Sequence, residues 1–176
     1  MMDVKDLLLR AEPLTEENFK PYGDVIESKS PSGSVIAANQ GSAVRSNRVA
    51  AMMNKRADAV ANLCVFRCTP KELPFQCKLL ERHPHSTQVF IPMMDESKRY
   101  LVIVSEATEG PEPDLSSLKA FIASNTQGIS YSAGCWHHPM VALDAMTDFA
   151  CLVYENGLAD EDCQEHHFTQ TIMIEG

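Results

Sequence analysis

Long apolar stretches are missing from this sequence. Near the N-terminus the apolar run is only three leucines, Leu7 to Leu9, flanked by charged residues. A secretory signal needs a longer apolar core, and a membrane helix needs about 20 apolar residues, which no later stretch approaches. We therefore expect neither a signal peptide nor a membrane span.

Basic clusters and several common catalytic signatures are also absent. The formal net charge is -9, and no basic patch is interleaved with aromatic residues, which argues against nucleic acid as a partner. The sequence contains no glycine-rich phosphate loop, no G-x-S-x-G, no H-E-x-x-H and no C-x-x-C pair. The expected partner is a small polar metabolite.

Length and cysteine usage limit the architecture. A chain of 176 residues with 44% hydrophobic residues can bury one good core, which predicts a single domain over residues 1–176. The six cysteines are irregularly spaced, and Cys64, Phe66 and Cys68 alternate as on one buried face of a strand. Buried free thiols are therefore expected, together with a reducing, cytoplasmic location.

The secondary-structure pattern is mostly that of short strands. Helical periodicity is confined to residues 3–11 and to "LTEENF", where Thr15 is placed to cap a single turn. From Tyr22 onward about ten short β-rich runs follow, including "RVAAMM" at 48–53, and turn residues separate them. A short helix is expected at Leu115 to Leu118. This pattern predicts an all-β sandwich or barrel.

The segment "ERHPHSTQVFIPM" concentrates polar groups in one predicted hairpin. Residues two apart on a strand share a face, so Glu81 and His83 should point the same way. Pro84 favours a turn, after which Gln88 returns early in the next strand and can face His83. Three polar groups should therefore converge.

A further ligand is expected from "GISYSAGCWHHPM". Gly134 permits a turn before His137 and His138, and only one of these neighbours on a strand should enter the pocket. Two histidines and a carboxylate suit a first-row divalent metal, with Gln88 as a weak ligand or an orienting group. Cys135 as a nucleophile is the alternative, although a buried structural thiol fits its surroundings better.

These two segments resemble the two cupin motifs. The first reads Glu81-x-His83-x-x-x-x-Gln88 where cupins carry H-x-H followed by four residues and a glutamate. The second reads Ser132-x-Gly134-x-x-His137 where cupins carry P-x-G-x-x-H. The resemblance implies a cupin-like jelly-roll β-barrel with short peripheral helices.

A closer resemblance covers Pro13 to Phe168. The segments "LTEENFKPYGDVIE", "NQGSAVR", "ERHPHSTQVFIPM", "PDLSSLKAFI", "QGISY", "WHHPM" and "TDF" are similar, in order, to the ureidoglycolate lyase family. The resemblance implies cleavage of (S)-ureidoglycolate to glyoxylate and urea in allantoin and purine degradation. It also implies a homodimer and a divalent metal ion such as nickel.

The family motifs assign roles to seven positions. Arg45 would grip the substrate carboxylate through its planar fork, and Asp148 would be a proton donor or the partner of a histidine. Which residue is acid and which is base stays open. The resemblance implies Glu81, His137 and Asp148 in catalysis, Asn39, Arg45 and Gln88 in substrate binding, and Glu81, His83, Gln88 and His137 at the metal.

Three other functions compete with this reading. A cupin metal-dependent oxygenase or isomerase would use the same two-histidine, one-carboxylate set, and oxygen uptake would distinguish it. A non-catalytic cupin that senses an acidic metabolite would bind ureidoglycolate without turnover. A hydrolase that releases ammonia from the same substrate calls for a two-metal site with more clustered ligands than this sequence offers.

Overall fold

The computed structural model describes residues 6–28, 34–93 and 98–176. Two helical turns, α1 (Glu16–Phe19) and α2 (Ala159–Asp162), and two 3₁₀ turns, Asn39–Gly41 and Leu115–Ser117, accompany the strands. In this part of the chain the strands are β1 (Leu7–Arg10), β2 (Glu12–Pro13), β3 (Gly23–Ile26), β4 (Ser34–Ala38), β5 (Ala43–Asn47), β6 (Val60–Cys68), β7 (Phe75–Gln76), β8 (Leu79–Arg82), β9 (Gln88–Pro92), β10 (Arg99–Ser105), β11 (Lys119–Ser124), β12 (Gly128–Tyr131), β13 (Trp136–His137), β14 (Val141–Ala142), β15 (Thr147–Glu155), β16 (Gln164–His167) and β17 (Ile172–Glu175).

Three sheets are stacked around two apolar cores. A five-stranded sheet, β3-β12-β9-β15-β6, faces a larger sheet, β16-β8-β13-β10-β11-β2, which β14 joins through β10. The first core fills the space between them and contains Phe90 and Phe149 from one sheet and Tyr100 and Phe121 from the other. The second core lies between the larger sheet and the small sheet β1-β17-β7. The hairpin β4-β5 forms a separate two-stranded sheet.

Burial along the strands follows this layering. Strand β10 lies between the two cores, so Tyr100 to Ser105 are all buried and the strand reads as a continuous apolar run. Strand β15 has a core on one side only, and its buried and half-buried residues alternate from Thr147 to Tyr154. The five-stranded sheet therefore has an inner face toward the core and an outer face.

Two sequence predictions of local structure are wrong. Leu7–Arg10 is a strand parallel to β17 rather than part of a helix, because Leu7 and Leu9 pack into the second core. The first three residues of that predicted helix, 3–5, lie outside the described residues. Residues 48–53 form no strand. Arg48 has a φ of 55°, and the Ala51 N–H donates to the Asp24 carboxylate at 2.9 Å instead of to a neighbouring strand.

Other expectations are confirmed. The Thr15 side chain accepts from the Asn18 N–H, and the Asn18 side chain accepts in return from the Thr15 N–H. The predicted short helix at 115–118 is a 3₁₀ turn. The all-β class is confirmed, whereas no closed barrel is detected in the described part of the chain. None of the helices among the described residues is long and apolar enough to cross a membrane.

Candidate metal and catalytic site

The turn between β8 and β9 is held from two sides. The Lys55 N–H donates to the His85 carbonyl at 2.8 Å, and the Gly134 N–H donates to the His83 carbonyl at 2.9 Å. Gly134 has a φ of +85°, in the left-handed region that favours glycine, and this turn sends the chain into β13. The hairpin predicted to carry His83 is thereby tied to the segment that carries His137.

Four side chains converge at this end of the two facing sheets. Glu81 and His137 lie directly opposite each other on β8 and β13, so their side chains share a face. His83 follows β8, and the nitrogen and oxygen ligand atoms of Glu81, His83 and His137 all lie within 4.8 Å of one another. Gln88 reaches across from β9, with its Oε1 2.9 Å from Nε2 of His137. We call these four residues the Glu81 cluster.

His83 presents a free lone pair to the cluster. Its Nδ1 lies 2.7 Å from the Asp162 carbonyl, which can only accept, so Nδ1 carries the proton. Its Nε2 is buried without a hydrogen-bond partner. Burial, followed by repulsion from His137, lowers the pKa of His83 to about 4, so the ring is uncharged at neutral pH.

His137 is oriented in the same manner. Its Nδ1 lies 3.0 Å from the Cys135 carbonyl and therefore donates to it, which leaves Nε2 facing Gln88 and the Glu81 carboxylate. The Tyr131 ring stacks on the imidazole, with the centroids 3.9 Å apart and the planes 11° from parallel. The position of the His137 ring is thus fixed by one hydrogen bond and one flat apolar wall.

Glu81 is the cluster's anionic group. Burial opposes the ionisation of Glu81, but its interaction with His137, followed by weaker interactions with His83 and His138, outweighs burial and lowers the pKa of Glu81. Its second oxygen lies 3.9 Å from the Cys163 thiol. The carboxylate is therefore ionised at neutral pH and able to bind a cation or accept a proton.

The donor set fits a divalent metal ion. Two imidazole nitrogens, a carboxylate and an amide oxygen are common ligands of first-row divalent ions. The 2.9 Å between Gln88 Oε1 and His137 Nε2 places an amide oxygen beside an imidazole nitrogen, so both atoms could bind the same ion. The unpartnered Nε2 of His83 would gain a partner from such an ion. The cluster can therefore hold a metal.

Comparison with known proteins identifies the family. The family model for ureidoglycolate lyase matches residues 6–175. The chain belongs to the ureidoglycolate lyase family. Similar proteins that carry this name include one from Pseudomonas savastanoi pv. phaseolicola, 34% identical over 163 residues, which are 93% of this chain and 91% of that protein. Another, from Pseudomonas putida, is 34% identical over 166 residues, 94% of this chain and 95% of that protein.

The structure does not bring Asp148, one of the positions that match the family's motifs, to the Glu81 cluster. On β15, Asp148 alternates with the buried Phe149 and faces the outer side of the five-stranded sheet, whereas Gln88 faces the inner side. Its carboxylate forms a two-point ion pair with Arg67, with both contacts at 2.8 Å. The pKa of Asp148 is lowered chiefly by this hydrogen bond, so it is ionised and not a proton donor at neutral pH.

Asn39 and Arg45 also lie apart from the cluster. Both are exposed on the hairpin β4-β5, Asn39 at its tip and Arg45 within its second strand. Val44 and Ser46, the neighbours of Arg45, line a groove on the outer face of the five-stranded sheet. Within one subunit the part of the hairpin that carries Arg45 is therefore on the other side of that sheet from Gln88.

Asp148→Asn tests the catalytic role predicted for Asp148. Because the carboxylate faces outward and is bound to Arg67, we expect turnover close to that of the unaltered protein and a modest fall in thermal stability. Steady-state kinetics and a thermal melt measure both. One lost proton transfer lowers kcat by a factor of about 100 or more. A loss of that size in Asp148→Asn would show that Asp148 takes part in catalysis.

Three contributors to the site escaped sequence reasoning. The Asp162 carbonyl orients His83, the Cys163 thiol contacts Glu81, and the Tyr131 ring covers His137. Neither Asp162 nor Cys163 belongs to a motif. Cys135 is buried, and burial raises the pKa of its thiol well above the usual value, which argues against the nucleophile alternative.

Proposed function

We propose that this protein cleaves (S)-ureidoglycolate to glyoxylate and urea, a step of allantoin and purine degradation. The observation that carries the proposal is the family match over residues 6–175, in a chain whose Glu81 cluster offers the required chemical groups. The two facing sheets around one core are also compatible with a cupin-like jelly roll, which we propose as the finer description of the fold.

The reaction moves one proton and breaks one carbon–nitrogen bond. Ureidoglycolate carries a hydroxyl, a carboxylate and a ureido nitrogen on a single carbon. When the hydroxyl loses its proton, a carbonyl forms as the bond to the ureido nitrogen breaks, and that nitrogen leaves as urea once it has gained a proton. The reaction neither consumes nor releases a proton overall. One group can therefore accept the hydroxyl proton and return it to the ureido nitrogen.

Glu81 is the residue best suited to carry this proton. Its carboxylate is ionised, lies within the cluster and is the anionic member of the triad it forms with His83 and His137. Transfer by one positioned group contributes about 100- to 10,000-fold. Gln88 does not titrate, and it would orient the substrate or a metal ligand through its amide.

A divalent ion would be held by Glu81, His83, Gln88 and His137, and the family resemblance favours nickel. Such an ion supplies acidity to a bound hydroxyl and stabilises negative charge that develops on its oxygen. The histidines' own contribution is to direct both Nε2 atoms into the cluster, since both Nδ1 atoms are bonded to carbonyl oxygens.

The substrate carboxylate needs a cation. Two arginines lie on segments that adjoin the cluster, and both are engaged: Arg56 with Asp162, and Arg82 with Gln164 and the Trp136 ring. We therefore propose that the carboxylate is bound by the metal ion, by a residue from outside the subunit, or by both.

We propose a homodimer that uses the outer face of the five-stranded sheet. Leu63, Val65 and Ile91 lie on this face and are 76%, 59% and 45% exposed, which is unusual for an apolar sheet surface open to water. A groove of about 1010 Å³ runs over the same face, and the hairpin β4-β5 beside it exposes Val35 and Val44. A second copy of this chain would cover these residues and bring its own hairpin β4-β5 close to the outer face of the first subunit.

Leu63→Asp tests this interface. A carboxylate at the centre of the outer face should convert the dimer to a monomer, and light scattering coupled to size-exclusion chromatography would show the mass halved. Leu8→Asp is a matched control, since Leu8 is 63% exposed on the small sheet away from this face. A dimer that persists in Leu63→Asp, or a monomeric unaltered protein, would contradict the proposal.

Arg45→Lys tests whether the hairpin takes part in substrate binding. If Arg45 binds the substrate carboxylate from the hairpin of a partner subunit, the loss of its two-pronged contact should raise KM more than it lowers kcat. Arg99→Lys, on β10 of the larger sheet and paired with Asp144, serves as the control and should leave KM unchanged. An unchanged KM in Arg45→Lys would remove Arg45 from the site.

The proposed activity is tested by following three products separately. Racemic ureidoglycolate should yield glyoxylate and urea in equal amounts, with activity lost on chelation and restored by adding back one divalent metal. Ammonia release would indicate the hydrolase, and oxygen uptake would indicate the oxygenase. Binding without turnover would leave the chain as a metabolite-binding member of its family.

A further inference from the structure

The hydrogen bond that orients His83 comes from a distant part of the chain. The acceptor is the backbone carbonyl of Asp162, at the end of α2, 79 residues away in sequence. The last carbonyl groups of a helix have no partner within the helix and are free to accept from a side chain. The direction in which Nε2 of His83 points therefore depends on where the end of α2 lies.

The Asp162 side chain fixes the end of α2. Its carboxylate accepts from the backbone N–H groups of Asn156 at 2.9 Å and Gly157 at 2.8 Å, and from Nη2 of Arg56 at 2.6 Å. The side chains of Arg56 and Asp162 are only 11% and 13% exposed. This pair is therefore shielded from solvent, unlike the surface ion pairs of the molecule.

Arg56 connects α2 to the turn that bears His83. Its guanidinium also contacts the Tyr154 carbonyl and the Glu161 carboxylate, each at 3.4 Å. Arg56 directly follows a segment that lies along that turn, where Lys55 donates to the His85 carbonyl. The backbone beside Arg56 is thus bonded to the turn that follows His83, and the Arg56 guanidinium is bonded to the helix that carries the acceptor.

We propose that Arg56 and Asp162 are positioning residues that act through the Asp162 carbonyl to fix the tautomer and orientation of His83, so that its Nε2 is available as a metal ligand. The inference rests on the proposed metal site at the Glu81 cluster. Groups that orient metal-binding histidines typically change metal affinity or activity by about 10- to 100-fold when they are removed.

Histidine NMR and nickel titration test the inference in the intact chain. The variants are Arg56→Met, which removes the guanidinium, and Arg56→Lys, which keeps a charge for Asp162 but not the several-point contact. Arg99→Met is the matched control, because Arg99, at the start of β10, forms an ion pair with Asp144 at 2.8 Å that is more exposed than the pair of Arg56 with Asp162. Correlation spectra of ¹⁵N-labelled rings report which nitrogen of His83 carries the proton, and calorimetry reports the Ni²⁺ affinity.

We expect Arg56→Met to lose the single Nδ1–H tautomer of His83 and to bind Ni²⁺ about 10- to 100-fold more weakly. Arg56→Lys should recover part of both properties, and Arg99→Met should change neither. A folded Arg56→Met protein with lower thermal stability but an unaltered tautomer and Ni²⁺ affinity would overturn the inference. Equal losses in Arg99→Met would also overturn it, since the effect would then be general destabilisation.

These readouts separate the inference from the proposed function. The tautomer is measured without metal or substrate, so it responds to Arg56 whether or not ureidoglycolate is cleaved. If the His83 tautomer changes in Arg56→Met but the unaltered protein has no lyase activity, the role of Arg56 stands and the proposed reaction is wrong. If the unaltered protein has lyase activity but the His83 tautomer is the same in Arg56→Met, the proposed reaction stands and the role of Arg56 is wrong.

Discussion

Glu81→Gln should lower kcat by at least about 100-fold while the protein remains folded. The substitution keeps the size of the side chain and removes the anionic oxygen that lies 3.5 Å from Nε2 of His137. A glutamine cannot accept the hydroxyl proton of ureidoglycolate, and one lost proton transfer costs about 100- to 10,000-fold. Steady-state kinetics with glyoxylate detection measures the loss, and circular dichroism checks the fold.

The control for this substitution lies on the adjacent strand. Glu165 is directly opposite Glu81 in the pairing of β16 with β8, but it is half exposed and bonded to His167. Glu165→Gln should therefore turn over substrate almost normally. Ni²⁺ affinity then separates two roles of Glu81: an unchanged affinity with low kcat indicates a base, and a joint loss indicates a ligand. Near-normal turnover in Glu81→Gln would reject both roles.

Local spacing was sufficient to predict the contacts that strand geometry dictates. Glu81 and His83 are two residues apart, Pro84 interrupts the strand, and Gln88 opens the next one, so their proximity follows from a single hairpin. The choice of His137 over His138 followed from the resemblance of Ser132-x-Gly134-x-x-His137 to the second cupin motif. In the structure the pairing of β8 with β13 brings His137 to the hairpin residues.

Spacing could not predict contacts made between distant segments. Whether Asp148 points inward depends on the register of β15 against β6, where it pairs with Arg67. The place of Arg45 depends on where the hairpin β4-β5 packs, and the N-terminal leucines became a strand because β17 was available as a partner. Each outcome is decided by tertiary packing, which overrides a local preference.

The support around the cluster is made of backbone groups as much as side chains. Carbonyl groups of Cys135 and Asp162 hold the two imidazoles, and Gly134 joins the two segments through its N–H. Backbone groups are present at every position and leave no mark in a sequence, so no motif could have indicated them. The side chains that fix those carbonyls, above all Arg56, are the positions where substitution should reveal them.

His137→Gln and His138→Gln should differ sharply although the residues are neighbours. The His137 ring is 1% exposed and directs Nε2 into the cluster, so its loss should weaken Ni²⁺ binding by more than about 100-fold, beyond what an orienting residue typically contributes. The His138 ring lies edge-on to Phe75, with the centroids 5.1 Å apart, and bonds to the Pro139 carbonyl. His138→Gln should therefore lower thermal stability and leave Ni²⁺ affinity nearly unchanged.

The pair of variants decides which histidine serves the metal. Calorimetric Ni²⁺ titration of both proteins, with thermal melts, separates a lost ligand from a weakened core, because the two effects are expected in different variants. Equal losses of affinity would show that the variants act through the backbone segment that carries both residues and not through one ring. A larger loss of Ni²⁺ affinity in His138→Gln would show that the metal does not bind at the Glu81 cluster. Glu81 would then not be a metal ligand.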